Sequence, residues 1–143
     1  MIILDTNVLS ALMRRKPDQQ VVTWLDQQPR LSVWTTAVTL FEIRFGLAVM
    51  PIGRRQTELQ EAFARLTAEI LENRILAFDT PAARETAILA AARQRAGRTG
   101  DLRDSMIAGI VVAARARLAT RNTQHFDDIG ASIVDPWSTT EAP

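Results

Sequence analysis

The chain interrupts its helical stretches with continuous apolar runs of only a few residues, and this alternation limits its fold more than any other feature. Ile2, Ile3 and Leu4 stand together with no polar residue among them and stop at Asp5-Thr6-Asn7, a group of turn and cap formers. A strand with one wet face alternates apolar and polar side chains, whereas a continuous apolar run suits a strand covered on both faces of a parallel sheet. Residues 31–34, 75–78, 118–120 and 133–134 read as further strands of this kind. Between them lie helical patterns. Residues 8–13 close on Arg14-Arg15-Lys16. A second helix opens at Pro17, carries Val21, Val22 and Leu25 inward and ends at Pro29. Thr39-Leu40-Phe41-Glu42 has the spacing of a capping box, followed by the stripe Leu40, Ile43, Leu47 and Met50. Gly46 inside that stripe reads as a point of close helix approach. Residues 55–72, 81–95 and 101–117 complete the helical set. The pattern predicts an α/β fold whose largely parallel sheet is covered by helices.

At 143 residues the chain suits one domain. That domain is expected over residues 1–137, with 138–143 a frayed tail after Pro136. Hydrophobic residues are 47% and charged residues 23%, a balance that excludes disorder as the default. Lys and Arg total 17 against 16 Asp and Glu, a net charge of +1, so bulk charge excludes a polybasic binder and leaves local patches. All the basic residues but Lys16 are arginine. A receiver-like signalling domain needs a late lysine, and none is present. The P-loop, Gly-x-Gly-x-x-Gly and Gly-x-Ser-x-Gly patterns are absent too. With no cysteine, disulfides, zinc–thiolate sites and thiol nucleophiles are excluded. No run approaches the ~18 apolar residues of a membrane span, and no signal-peptide pattern opens the chain. The expectation is a cytoplasmic protein with no membrane association.

In open α/β sheets, ligands bind at the carboxyl ends of the strands. Asp5 directly follows the first apolar run, and Asn122 follows residues 118–120 with one residue between. Glu42 and Asp104 sit near helix starts. If these regions converge, three carboxylates and an amide share one site. Like charges so close repel and raise one another's pKa, and a divalent cation removes that cost. Mg2+ takes hard oxygen ligands, commonly one or two carboxylates plus substrate phosphate oxygens, and lowers the pKa of a bound water for phosphodiester hydrolysis. Each acid also has a purely structural reading: Asp5 as a helix cap, Glu42 as the end of the capping box, Asp104 as a partner of the helix dipole.

The segment Ile3-Leu4-Asp5-Thr6-Asn7-Val8-Leu9-Ser10 resembles the first motif of PIN-domain ribonucleases, closest to the VapC-type toxins of toxin–antitoxin pairs and their FitB-like group. Glu42 with Gly46, Asp104-Ser105-Met106-Ile107-Ala108, Leu118-Ala119-Thr120-Arg121-Asn122 with Phe126, and Asp135-Pro136-Trp137 are similar to the family's later motifs, in order along essentially the whole chain. The resemblance implies an α/β/α sandwich around a mostly parallel sheet of about four to five short strands. It implies a Mg2+-dependent (or Mn2+-dependent) endoribonuclease, the toxin of a type II pair, hydrolysing RNA with metal-activated water. The alternative is a catalytically weak PIN-like module that binds RNA or a partner.

The family's acids map onto Asp5, Glu42 and Asp104 as catalytic residues and metal ligands. Asn122 stands where many members carry a fourth acid. An amide brings no charge, so a second metal would be held more weakly, and Asp127 or Asp128 could compensate. Thr6, Thr120 and Arg121 are auxiliary candidates. Arg14, Arg15, Arg98 and Arg103 are candidate RNA contacts, with Arg93 and Arg95 near the last two and Lys16 beside the first two. His125, the only histidine, occupies a variable position of the motif and reads as structural. The family further implies a homodimer with exposed Leu, Phe and Trp, and a VapB-like antitoxin. The antitoxin's C-terminal segment would pack among Leu9, Leu12, Leu25, Phe41, Phe45 and Leu59, an arginine of it entering the carboxylate site.

Overall fold

The computed structural model describes residues 1–98 and 100–138. Five strands, β1 (Ile2–Leu4), β2 (Val33–Thr36), β3 (Ile75–Leu76), β4 (Arg117–Ala119) and β5 (Ile133–Val134), form one sheet in the order β3-β2-β1-β4-β5. Every pairing is parallel. Among the described residues six α-helices surround it: α1 (Thr6–Met13), α2 (Gln19–Asp26), α3 (Ala37–Val49), α4 (Arg54–Arg65), α5 (Thr80–Arg95) and α6 (Leu102–Ala113). The expected α/β sandwich is present.

The continuous apolar run of β1 is explained by its central place. Successive side chains point to opposite faces. Ile2 and Leu4 enter a core with Val8, Leu9, Val21, Trp24, Phe63 and Leu71. Ile3 enters a second core with Ala82, Ile107, Val111, Leu118 and Phe126. Both faces of the sheet are thus dry, as uninterrupted strands require.

Several boundaries differ from the sequence reading. Pro17 lies outside α2, whose N-cap is Asp18, accepting from the Gln20 N–H at 3.0 Å. The second strand begins at Val33, because Arg30–Ser32 form a 3-10 turn after Pro29 and Leu31 is exposed. Thr39 and Glu42 are not a capping box. The N-cap is Thr36, whose hydroxyl accepts from the Thr39 N–H at 3.0 Å, so α3 starts earlier and Glu42 falls in its second turn. A Cβ on Gly46 would meet open space; the close approach is at Gly109, where it would lie 1.8 Å from Thr86 Oγ1. The expected 55–72 helix ends at Arg65 and runs into a π-turn, Leu66–Ile70. The third strand is limited to Ile75–Leu76. Helix α6 stops at Ala113, and Arg115, at φ 53, turns the chain so that Arg117 begins β4. Of the expected tail, residues 139–143 lie outside the described residues. Among the described residues no helix is long and apolar enough to cross a membrane.

Candidate functional site

Because all strands run the same way, their carboxyl ends share one edge. β1 delivers Asp5 there and β4 delivers Thr120. Asp5 is buried, 4% exposed, and its backbone N–H donates to Ala119 O at 2.9 Å, continuing the ladder for one residue. Its Oδ1 accepts from the Thr6 N–H at 2.8 Å, so it does cap α1. Its Oδ2 accepts from Thr120 Oγ1 at 2.8 Å and, at 3.4 Å, from Asn7 Nδ2. The cap and the site are therefore the same carboxylate, and the structural reading of Asp5 does not compete with the functional one.

Asn7 and Thr120 tie the ends of β1 and β4 together. Asn7 Nδ2 donates to Thr120 Oγ1 at 3.3 Å, and Asn7 Oδ1 accepts from the Arg121 N–H at 3.0 Å. Thr120 Oγ1 also accepts from the Asn122 N–H at 3.0 Å. A second hydroxyl chain lies beside it: Thr6 Oγ1 donates to Thr39 Oγ1 at 3.4 Å, and Thr36 Oγ1 lies 3.2 Å from the same atom. Asn7 and Thr39 were not singled out by sequence reasoning, because each reads locally as a turn or helix-start residue and their partners come from distant segments.

Glu42 points in from α3. Its Oε1 is, among the described residues, the one buried side-chain oxygen or nitrogen with no hydrogen-bond partner. Burial pushes its carboxyl above the ordinary 4.5; the charge of Arg103 opposes this, Asp5 adds to it, Thr6 opposes it, and Asp104 adds again. The Asp5 carboxyl is likewise raised, by burial first, with Thr120 and the Thr6 N–H holding it down and Asp104 pushing it further up. The charges of Asp5, Glu42 and Asp104 thus reach one another, although among the described residues no three acidic or histidine side chains are grouped so that they could hold an ion. Asp104, in the first turn of α6, has Oδ2 3.0 Å from His125 Nδ1.

Other candidates fall elsewhere. Asn122 joins the network through its backbone and caps the 3-10 turn Thr123–Phe126. Asp127 and Asp128 do not stand in for a fourth acid. They pair with Arg98 at 2.8 Å and with Arg93 at 2.8 Å. Arg93 is buried, which removes it from any RNA surface. Arg98 is also bound to Gln124 O. Arg121 lies over the Trp137 ring, 4.8 Å from its centroid, rather than on the acids. Arg103 forks onto Asp101, yet its charge reaches Glu42. Arg14 and Arg15 follow α1, whose eight residues span about 12 Å, and so sit well away from Asp5. They line a cleft of about 730 Å³ with Leu12, Leu59, Glu58 and Arg65, and Arg15 pairs with Glu58 at 3.1 Å. The expected antitoxin set divides. Leu12 and Leu59 line this cleft, Leu25 lines another, Leu9 is fully buried, and Phe41 and Phe45 stack on each other on the exposed face of α3. None of the three tryptophans is exposed.

The family model of the PIN domain matches residues 2–131. The chain is 39% identical to the VapC ribonuclease Y4jK of Sinorhizobium fredii, over 96% of this chain and 98% of that one. It is 32% identical to Toxin FitB of Neisseria gonorrhoeae, over 96% and 99%. The crystal structure of FitAcB from Neisseria gonorrhoeae matches it with a TM-score of 0.86 at 32% identity, covering 97% of this chain and 100% of that one.

Proposed function

The chain belongs to the PIN-domain family, and from that premise we propose that it is a metal-dependent endoribonuclease, the toxin of a type II toxin–antitoxin pair. The observation that carries this reading is the buried, unpartnered Oε1 of Glu42 beside two further acids. An orphaned buried carboxylate oxygen is costly unless a cation completes it. Among the described residues no three Asp, Glu or His side chains are grouped so that they could hold an ion together. The ion of this reading, Mg2+ or Mn2+ in its place, would therefore take part of its ligands from water and substrate phosphate oxygens, since Mg2+ keeps several waters and needs only one or two carboxylates. Asp5, Glu42 and Asp104 are the acids that would hold it, directly or through its waters. When bound, the ion supplies positive charge against the phosphate and lowers the pKa of a water.

The chain's own residues do the rest. Thr120 and the Thr6 N–H orient the Asp5 carboxylate, Asn7 holds the two strand ends in register, and the Asn122 backbone N–H donates to Thr120. Arg103, close enough to Glu42 to lower its pKa, would meet an RNA phosphate there. Arg14 and Arg15 belong instead to the cleft between α1 and α4, whose apolar floor and mixed charge suit a segment of the VapB-like antitoxin. Exposed Phe41, Phe45 and Val49 on α3 support a homodimer. A single domain over residues 1–137 and a cytoplasmic location complete the reading.

Mapping RNA ends after induction tests it. Wild-type chain yields discrete new 5′ ends, and Asp5→Asn lowers cleavage by at least about 100-fold. Equal cleavage by Asp5→Asn overturns the proposal. Asn122 favours one alternative, a weakly catalytic RNA- or partner-binding module. Antitoxin-free protein that binds RNA but yields no cleavage in Mg2+ or Mn2+ would establish that instead.

A further inference from the structure

The only histidine is unused by the reading above, and its place in the family's motif is a variable one. The structure nevertheless sets its ring against an acid of the site. His125 Nδ1 lies 3.0 Å from Asp104 Oδ2. A carboxylate oxygen accepts, so this contact is a hydrogen bond in the tautomer that carries the hydrogen on Nδ1. The ring itself is 55% exposed, so packing around it does not aim it. Its backbone does.

The turn Thr123–Phe126 is anchored from below by Phe126, which is fully buried. The His125 N–H donates to Asn122 O at 3.0 Å. The His125 carbonyl accepts from Arg93 Nη2 at 2.6 Å, and Arg98 holds the carbonyl of Gln124. Arg93 is the hub. Its guanidinium also binds Asp128 through two hydrogen bonds, at 2.9 and 2.8 Å, and Ser105 Oγ at 3.1 Å. Ser105 adjoins Asp104 on α6. One buried planar fork therefore ties down both the turn that carries the imidazole and the helical turn that carries the carboxylate. A hydrogen bond between two exposed, flexible groups would be weak; here both ends are held before it forms.

We propose that His125 is a positioning residue for Asp104. Its Nδ1–H takes up Oδ2 and so fixes which way the carboxylate is turned and leaves the other oxygen for the ion. Groups that orient a ligating carboxylate in this way contribute roughly 10–100-fold to metal affinity or activity. The inference rests on the metal-dependent reading above, and it assigns His125 no proton-transfer role.

The test is a titration of the purified full chain with Mn2+ alone, followed by the resonance of the free ion, alongside thermal melting without metal and RNA cleavage kinetics. His125→Ala is expected to weaken Mn2+ binding about 10–100-fold. His125→Asn places an amide N–H near the position of Nδ1, and it recovers most of that affinity and of kcat. His125→Gln keeps the bulk but puts its donor where Nε2 was, so it behaves like the alanine variant. Unchanged Mn2+ affinity in His125→Ala overturns the inference. So does loss of kcat in both His125→Ala and His125→Asn at wild-type affinity, which marks a proton-transfer group. If alanine merely lowers the melting temperature, glutamine and asparagine match each other, and positioning is again overturned. A wild-type chain that takes up no Mn2+ and behaves like Asp5→Asn overturns the parent reading and this one with it.

Discussion

A single hydroxyl organises the buried acid of the site. Thr120 Oγ1 donates to Asp5 and accepts from Asn7 Nδ2 and the Asn122 N–H, all in a position with no solvent exposure. Replacing it by valine keeps the shape and removes every one of these bonds. Thr120→Val is expected to lose about 1–3 kcal/mol in urea denaturation, because the buried carboxylate loses a donor, and to lower cleavage as well. Glu42 behaves in the opposite sense. Its folded carboxyl is raised above the ordinary 4.5, by burial first. Such a group costs stability when ionised, at pH above its folded value, and costs nothing below 4.5, where both folded and unfolded chains hold the proton. Glu42→Gln should therefore melt higher than wild type at pH 7 without divalent ions, with no such gain at pH 4, while cutting RNA poorly. Lower melting at pH 7 would show that the unpartnered oxygen is not a cost. Both residues are named in the sequence reading, Thr120 as an auxiliary candidate and Glu42 as an acid of the resemblance and the end of a capping box, but their partners are not. Those partners are far along the chain, Asp5 for Thr120 and Arg103 and Asp104 for Glu42.

Helices α5 and α6 are joined by contact too close for any side chain. A Cβ on Gly109 would lie 2.7 Å from Ala82 O and 2.9 Å from Thr86 N, besides the Thr86 hydroxyl. Gly109→Ala is expected to cost about 1–3 kcal/mol by overpacking. Adding Thr86→Ala should restore only part of this, since the backbone atoms remain; full recovery in the double variant would place the clash in the hydroxyl alone. The same two helices meet the last loop through Arg93. Hydrogen bonding from Arg93 holds the Asp128 carboxyl below its ordinary 3.8, against a smaller effect of burial, and the charges of Arg93 and Arg98 help. A depressed carboxyl stabilises the fold in full above 3.8 and loses that contribution as pH falls through the lower folded value. Acid unfolding of Asp128→Asn should accordingly be less pH-dependent below pH 4 than that of wild type, and Arg93→Met should cost about 2–3 kcal/mol at pH 7. An unchanged acid profile would mean that the pair contributes nothing. Neither contact is legible locally. Gly46 and Gly109 look alike in sequence, and Arg93 looks like any other member of an arginine-rich stretch.

At the scale of the whole molecule, one sheet with two dry faces joins both cores through β1. If residues 1–137 are one domain, urea unfolding followed by tryptophan fluorescence and by helical circular dichroism gives coincident single transitions; separated midpoints would divide the chain. The sequence by itself determined the strand–helix alternation, the parallel sheet and the position of Asp5 at a strand end. These are local consequences of side-chain period and turn chemistry, and they survive in any compact arrangement. It also carried the family's motifs, and with them the three acids. The tertiary structure alone decided where elements stop, as at Arg115 and in the π-turn after α4, since the last turns are set by packing and by backbone groups elsewhere. It alone separated the arginines into a buried hub, a cleft lining and a ring contact, although one formula describes them all. And it alone set His125 against Asp104 and brought the charges of Asp5, Glu42 and Asp104 to bear on one another, because proximity between distant segments is a property of how the strands are ordered and not of any stretch of chain.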